Sequence, residues 1–422
     1  MNKQGFHNRK VFIFLESMPQ RQGTGASLRF YSNIQAYLEL GFDVEVIQIA
    51  PTDDRSEPSD DLKPVRWTRV IEPVKAPSLF GRLAYRMCFP TREAVRYMFP
   101  LLPVVRREAI SRFRCFPMAV FHFDGESLAA AIPWLPRSMR SVWSLHDLPS
   151  VISLASTRIA CEAAGRVPSV AEDREYQFFC KAERIMADSS RLVLCIGHHD
   201  AIRLKKEWGC AHAEYLPMSI PGDGAGDGSE CGKFDGRLRL LHLGRISHLP
   251  SYRSLEFLLE QVFPKLPPEL IDRVSLTVVG RVDDSERARR ILALAGRYPN
   301  VSFEGYVDDI VPYYRSSDAQ IVASTEAAGL RTRIVESFAF GLPVISTTVG
   351  AEGIGGWSPG KQLLIADTAE EFVRHLEHLT RSPDTLSRLA EEGRAFYARA
   401  QSRRSVAAAL SSFLSEHLEI PS

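Results

Sequence analysis

Short apolar runs alternate with longer amphipathic segments along this chain, and they do so in two series separated by a Gly/Asp stretch. In the first series Val11 to Leu15, Val44 to Ile49, Ala119 to Phe123, Ser141 to Leu145 and Arg191 to Ile196 read as strands. Helical spacing runs from Leu28 to Leu40 and near Ser127 to Ile132. The second series has strands at Leu238 to Leu243, Ser275 to Val279, Val301 to Glu304, Ile321 to Ala323 and Pro343 to Ser346. Its helices are expected at about Ser251 to Phe263, Asp284 to Gly296 and Thr368 to Thr380, with a last one near Ser402 to His417. Alternation of this kind predicts an α/β chain whose parallel sheets are covered by helices on both faces.

Between the series, GDGAGDGSECGK at 222–233 has no apolar periodicity and reads as a linker. The expected organisation is a first Rossmann-like domain over 1–221, a second over 234–400, and a terminal helix over 401–422 that packs back on the first. Two doubly wound halves facing across a cleft bind ligands at the carboxyl ends of their strands. A chain of 422 residues is long enough for two such cores.

A formal net charge of +1 argues against a dedicated nucleic-acid binder, whose phosphate contacts need a basic excess. The opening MNKQGFHNRKVFIFLES has too short an apolar run for a signal peptide, and no run of about 18 apolar residues occurs, so a cytoplasmic protein is expected. Cys88, Cys115, Cys161, Cys180, Cys195, Cys210 and Cys231 are scattered with no CxxC pair. Neither a disulfide framework nor a zinc site is indicated.

Chemistry concentrates in residues 320 to 356, QIVASTEAAGLRTRIVESFAFGLPVISTTVGAEGIGG. A strand runs into a loop of small residues, Ala327, Ala328 and Gly329, and a helix is expected to open near Gly329. A helix N-terminus offers unpaired N–H groups and partial positive charge, and small residues let an anion approach the backbone. Arg331 and Arg333 add two guanidinium forks, and Glu336 lies about two turns further on, where a carboxylate can accept hydrogen bonds from a ribose diol. Each residue taken alone is more often a solvated surface group; their joint placement after a strand points to a nucleotide.

From LHLGRI through GYVDDIVPYYRSSDAQIVASTEAAGLRTRIVESFAFGLPVISTTVGAEGI the second half resembles glycosyltransferase family 4, the retaining sugar transferases of the GT-B fold. The order of elements agrees over nearly the whole chain, but specific motifs are confined to about residues 240 to 355. The resemblance implies that the turn at Gly244 and Arg245 binds the donor's diphosphate. Gly280 and Arg281 then border the base pocket, and Gly305, Tyr306 and Val307 hold the base largely through backbone groups. Glu336 matches the motif glutamate that binds the ribose. In the first half, the loop Gly23 to Ser27, Gly25 included, matches a Gly-rich turn near donor phosphate and acceptor, and His146 in WSLHDLPS matches a strand-end histidine lining the reaction centre.

The family's first motif glutamate would fall at 328, which is Ala328. Glu326 is available only with a spacing to Glu336 two residues longer, and two extra residues in a helix rotate its face by about 200°. A gapless alignment of AAGLRTRIVE instead places Gly329, Leu330, Arg331 and Arg333 in the site. A partner lysine six residues after the LGR arginine is replaced by Ser251, leaving Arg253 or Arg333 to supply its charge.

On this resemblance, a sugar moves from a UDP- or GDP-linked donor to a glycan or lipid-linked acceptor in cell-surface polysaccharide assembly. The nucleotide sugar is a co-substrate, and no cofactor or divalent cation is expected, since no DxD-like signature stands beside the motif. Arg245 and Arg333 stabilise the departing diphosphate, doing the work a metal does elsewhere. Asp308 and Asp309 read as a solvated helix start. His146 positions sugar or acceptor, or is simply structural; Asp147 and His122 are weaker candidates.

Between Leu79 and Cys115, Arg82, Arg86, Arg92, Arg96, Arg106, Arg107, Arg112 and Arg114 outnumber Glu93 and Glu108. Such a surface can sit on anionic lipid at the inner face of a membrane, or belong to ordinary helices with solvated arginines. A phosphorylase would need a pyridoxal-binding lysine and a dehydrogenase a strand-borne GxGxxG; neither is found. A non-catalytic relative that binds nucleotide sugar, or scaffolds a glycan-assembly complex, is the competing reading.

Overall fold

The structure, a computed structural model, describes residues 9–19, 25–50, 57–63, 65–72, 99–220, 234–325 and 330–421. The chain divides into two compact units, Met1–Pro221 with Arg403–Ser422, and Gly222–Ser402. The expected linker, 222–233, lies outside the described residues.

The first unit is built on a seven-stranded, wholly parallel sheet. Its strands are β1 (Lys10–Leu15), β2 (Asp43–Ala50), β3 (Arg66–Ile71), β4 (Val120–Asp124), β5 (Arg140–Leu145), β6 (Leu192–Cys195) and β7 (Ala213–Tyr215), in the order β3-β2-β1-β4-β5-β6-β7. Successive side chains point to opposite faces, so β1 sends Phe12 and Phe14 into one core, and Val11, Ile13 and Leu15 into another. The first core also holds Phe121, Phe123 and Trp143. The second is closed by the helix Gly25–Glu39 and by the terminal helix Arg403–Leu418, which contributes Val406, Ala407, Leu410 and Leu414. Burying those four against Ile34 and Tyr37 ties the chain's last helix to its first unit.

The second unit carries a six-stranded parallel sheet: β8 (Leu238–Leu243), β9 (Val274–Val279), β10 (Val301–Gly305), β11 (Ala319–Val322), β12 (Val344–Ser346) and β13 (Leu364–Ile365), ordered β10-β9-β8-β11-β12-β13. In each sheet the strand order reverses once, between β1 and β4 and between β8 and β11. Such a reversal opens a crevice at the carboxyl ends of the strands, where α/β sheets take their ligands.

Several expectations are corrected. The helix expected to open near Gly329 spans Thr332–Phe340, with Arg331 just before it; Glu336 therefore lies little more than one turn in. The helix expected over Ser251 to Phe263 starts earlier, at Leu249, because Pro250 suits a first turn; the α-form ends at Phe257 and a π-turn follows over Leu258–Val262. The segment Ser127 to Ile132 is a short helix, Glu126–Ala129, followed by a 3₁₀ turn at Ile132–Trp134. Helices Pro149–Ala164, Val170–Ser189, His198–Trp208 and Pro383–Ala400 and strands β3, β7 and β13 were not marked by apolar spacing. Of these, Val170–Ser189 carried a readable start: Ser169 and Glu172 form a reciprocal capping box.

In the basic stretch, Arg82, Arg86, Arg92 and Arg96 lie outside the described residues. The other four sit on the helix Leu102–Cys115, which buries Leu102, Val104, Val105 and Ala109. Arg106 donates to the Trp134 carbonyl at 3.2 Å, Arg107 pairs with Glu108 at 3.1 Å, and Arg112 pairs with Glu108 at 2.8 Å and Glu45 at 3.4 Å. Three of its arginines are therefore engaged by their own unit.

Candidate functional site

At the carboxyl end of β8 and β9 two glycines let backbone pack on backbone. Gly244 has φ +147° and Gly280 φ +155°, conformations that side chains resist. Gly244 N donates to the Val279 carbonyl at 3.0 Å, and Gly280 N to the Gly305 carbonyl at 2.8 Å. A Cβ on Gly280 would stand 2.1 Å from the Gly244 oxygen, and one on Gly244 would stand 2.2 Å from Ser251 Oγ. The turn is thus held shut against neighbouring strands, and it presents Arg245, Ile246, Ser247 and His248 at the strand end.

Arginines from three segments gather around that turn. Arg245 is exposed, with Nη2 3.4 Å from Asp283 Oδ2. Hydrogen bonds from the Ser247 and Ser285 hydroxyls hold the Asp283 carboxyl well below the usual range. Arg287, on the helix Glu286–Ala295, reaches the Ser247 carbonyl at 3.4 Å. Arg331 is buried and donates from Nε to Ser324 Oγ at 3.0 Å. Arg333 is half-buried and donates to the Leu243 carbonyl, and burial together with the charge of Arg331 brings its pKa down to about 10. Partial desolvation, then the charges of Arg333, Arg331, Arg245 and Arg287, lower the pKa of His248. Four guanidinium groups acting on one exposed imidazole define a strongly electropositive patch, suited to a phosphorylated ligand.

The lysine position that the resemblance left vacant also has a structural answer. Ser251 is buried beside Gly244, and Arg333 Nη1 would lie 3.4 Å from a Cβ on that glycine. Arg253 instead binds Glu256 on its own helix at 3.0 Å.

Glu336 is no surface carboxylate. The buried Tyr314 donates its hydroxyl to Glu336 Oε2 at 2.8 Å and stacks on Phe340, 4.8 Å between ring centres. Burial raises the Glu336 pKa, opposed by the Tyr314 hydrogen bond and by Arg333. Oε1 has no hydrogen-bond partner among the described residues, which leaves it for a ligand hydroxyl. Arg281 lies over the exposed Tyr306 ring at 5.6 Å, while Val307 packs with Leu243, Val279 and Tyr314. Asp309 Oδ1 accepts from Val311 N at 3.0 Å, at the start of the short helix Val311–Ser316.

In the first unit His146 stands just past β5. Its Nε2 donates to Asp124 Oδ1 at 2.8 Å, and Asp124 Oδ2 accepts from Asn33 Nδ2 at 2.8 Å. Asn33 also donates to Ser144 Oγ at 3.0 Å, and the Tyr37 hydroxyl lies 3.1 Å from His122 Nδ1. Burial of Asp124 is outweighed by hydrogen bonds from His122 and His146, which hold it well below the usual carboxylate range. For His146, desolvation is outweighed by the bond to and charge of Asp124, and its pKa rises. Glu16, one residue past β1, is half-buried near Ser127, Glu126 and His146, and burial raises its pKa. A histidine whose protonated form is favoured by Asp124 can donate hydrogen bonds to a sugar or an acceptor.

Of the residues singled out from the sequence, Gly244, Arg245, Gly280, Arg281, Tyr306, Val307, Leu330, Arg331, Arg333 and Glu336 belong to the second unit, and Gly25, which opens its helix, and His146 to the first. Glu326 and Gly329 lie outside the described residues, as do Gly23, Ala327, Ala328 and Cys231. Sequence reasoning missed Asp124, Asn33, Glu16, Tyr314, Arg287 and His248. Only His248 had a readable signal, its place in GRISH directly after a strand and before a helix. Among the described residues no group of three or more His, Cys, Asp or Glu side chains could hold a metal, and no helix is long and apolar enough to cross a membrane.

Residues 237–382 match the family model described as glycosyl transferases group 1. An uncharacterized glycosyltransferase of Haemophilus influenzae is 26% identical over 153 residues, 35% of this chain and 42% of that protein. A second, from Methanocaldococcus jannaschii, is 28% identical over 149 residues, 34% of this chain and 36% of its own length. The match thus spans less than half of each relative. Among solved structures, Anabaena HepE in complex with UDP superposes with a TM-score of 0.65 at 14% identity, covering 96% of this chain and all of that one. Sucrose-phosphate synthase from Thermosynechococcus elongatus gives 0.67 at 16% identity, with 97% and 100% covered. These two likenesses carry the fold. Over residues 237–382 the chain is similar to the glycosyl transferases group 1 family, and its two Rossmann-like units have the GT-B fold.

Proposed function

We propose that this protein is a glycosyltransferase that moves a sugar from a nucleoside-diphosphate sugar to a glycan or lipid-linked acceptor, with retention of configuration and without a metal. The observation that carries the reading is the grouping of Arg245, Arg287, Arg331 and Arg333 around one strand-end turn, in the unit that matches the family model. Cleaving the bond between the anomeric carbon and the diphosphate leaves negative charge on the phosphate. Fixed guanidinium groups placed where that charge develops lower the barrier without reorganising. Glu336, oriented by Tyr314, would take the ribose hydroxyls through Oε1. The UDP held by the Anabaena neighbour supports a nucleotide ligand for the fold.

With retention, the acceptor attacks on the face the diphosphate leaves, and a phosphate oxygen can receive its proton. No protein nucleophile is then required. His146 would hold the sugar or acceptor as a cationic donor, supported by its bond to Asp124. The terminal helix over 401–422 belongs with the acceptor-side domain in this reading, and the setting is cell-surface polysaccharide assembly at the cytoplasmic face of a membrane.

The test is a thermal-shift panel of UDP, GDP, ADP and CMP and their common sugar conjugates, with and without EDTA. Ligand at about 100 times its Kd adds about 2.7 kcal/mol to stability. A shift with one nucleotide family that survives EDTA, followed by turnover of its sugar conjugate, supports the reading. Binding without hydrolysis or transfer favours a non-catalytic nucleotide-sugar binder, and no shift with any nucleotide removes the proposal.

A further inference from the structure

His248 occupies the N-cap position of the helix Leu249–Phe257, yet its side chain makes no capping hydrogen bond. The residue is held by its backbone alone: His248 N donates to the Arg245 carbonyl at 3.1 Å, and its own carbonyl accepts from Tyr252 N at 2.9 Å. The imidazole is exposed and so is free to meet a ligand. Three residues on, Ser251 Oγ is buried beside Gly244 and has no hydrogen-bond partner among the described residues. A helix start, an unpartnered buried hydroxyl and an uncommitted imidazole thus stand at one turn.

The charges facing that turn are lopsided. Arg245 comes from the turn itself, Arg287 from the helix Glu286–Ala295, and Arg331 and Arg333 from the start of the helix Thr332–Phe340. Against them stands Asp283, bonded to Ser247 and Arg245. On the helix that His248 heads, Tyr252 and Arg253 are both bonded to Glu256, which occupies that carboxylate. A fifth permanent cation here would add to the repulsion among the four arginines. A histidine avoids this, because it stays neutral among the arginines and gains a charge only when an anion offsets them.

We propose that His248 is a ligand of the donor's diphosphate that binds by taking up a proton from solvent, so that nucleotide binding at this turn is coupled to protonation. The proposal rests on the nucleotide-sugar reading and deepens it. Partial desolvation and the four guanidinium groups favour the neutral imidazole of His248, consistent with its lowered pKa. An arriving diphosphate neutralises the surrounding guanidinium charge and favours the imidazolium, which donates an additional N–H to a phosphate oxygen. When the nucleotide leaves, the imidazolium again faces four arginines and releases its proton.

The experiment is isothermal titration calorimetry of the full chain with UDP and with GDP near pH 7.5, in buffers of different ionisation enthalpy, for wild type and His248→Gln. Protonation of the nucleotide's own terminal phosphate is common to both proteins, so the difference in proton uptake belongs to His248. Uptake of up to one proton in wild type, absent from a folded His248→Gln that binds several-fold more weakly, is the expected result. Circular dichroism verifies that the variant folds, and histidine NMR of the wild type, free and with UDP or GDP, gives the same answer without a substitution. Nucleotide binding with equal uptake in both proteins, or no change in the His248 titration, overturns the role of His248 and leaves the transferase reading standing. Failure of both nucleotides to bind wild type overturns the two together.

Discussion

The His146 imidazole is anchored to a fully buried carboxylate, with Nε2 2.8 Å from Asp124 Oδ1. Asn33 holds the other carboxylate oxygen at 2.8 Å, so Asp124 cannot turn away from the ring. The bond to and charge of Asp124 favour the imidazolium form of His146 at the carboxyl end of β5. His146 has a raised pKa, so the stability it contributes is fully present below its unfolded value of about 6.5 and is lost as pH rises through the folded value. Histidine NMR should therefore give a midpoint above 6.5. Asp124→Asn should drop the midpoint below 6.5, because desolvation then prevails, and lower kcat by roughly 10²-fold. A wild-type midpoint at or below 6.5 would contradict the assignment.

A ribose hook that depends on Tyr314 makes a graded prediction. Glu336→Ala should weaken UDP or GDP binding by about 1.5–3 kcal/mol, the worth of hydrogen bonds to a charged group. Tyr314→Phe removes only the donor that orients Glu336, and should cost about 1 kcal/mol in the same calorimetric titration. Arg245→Ala should reduce nucleotide affinity as severely as Glu336→Ala and flatten its dependence on salt, while Glu326→Ala should do less. Equal, severe losses at Glu326 and Glu336 would reinstate the longer glutamate spacing.

The close contact between Gly280, just past β9, and Gly244, just past β8, should not tolerate a side chain. In Gly280→Ala the new Cβ meets the Gly244 carbonyl at 2.1 Å, and the φ of +155° strains it further. Overpacking of this kind costs about 1–3 kcal/mol, and here the relief must come from displacing Gly244 and Arg245. Chemical denaturation should show that loss of stability, and nucleotide affinity should fall with it. Retention of full affinity would mean that Arg245 is not placed by this contact.

How much of this was legible beforehand depends on what sort of signal each residue leaves. Strands such as β1 announce themselves because both faces are buried and Val11 to Leu15 is apolar throughout, and the two-unit plan follows from the spacing of such runs. The helix Thr332–Phe340 was misplaced by a few residues because Gly329, Leu330 and Arg331 carry no cap side chain; the backbone of Arg331 does that work. Glu336 and Arg333 were readable through their motif. Tyr314 and Asp124 were not, since each acts through a partner far away in sequence, and no local pattern encodes a hydrogen bond across 22 residues. Arg287 looked like any surface arginine on an amphipathic helix until the fold turned it toward Ser247.

Away from the candidate site, Glu183 gives the first unit a pH dependence of opposite sign to that of a salt-bridged carboxylate. It is fully buried on the helix Val170–Ser189, and its Oε1 accepts from Ser150 N at 2.6 Å in the first turn of Pro149–Ala164, while Oε2 has no partner among the described residues. Desolvation, only partly offset by the bonds from Ser150, pushes its pKa up to about 7. The folded state therefore holds a proton that the unfolded chain releases near pH 4.5, so this group's contribution to stability is greatest below pH 4.5 and declines until about pH 7. A shift of that size corresponds to roughly 3 kcal/mol across the window. Glu183→Gln keeps an acceptor for Ser150 N and removes the titration. Its Tm should exceed the wild-type value at about pH 8 and converge on it near pH 5, measured by thermal unfolding at fixed ionic strength. A variant that is less stable than wild type at about pH 8 would show instead that the carboxylate's negative charge, facing the positive end of the helix Pro149–Ala164, outweighs the cost of burying it.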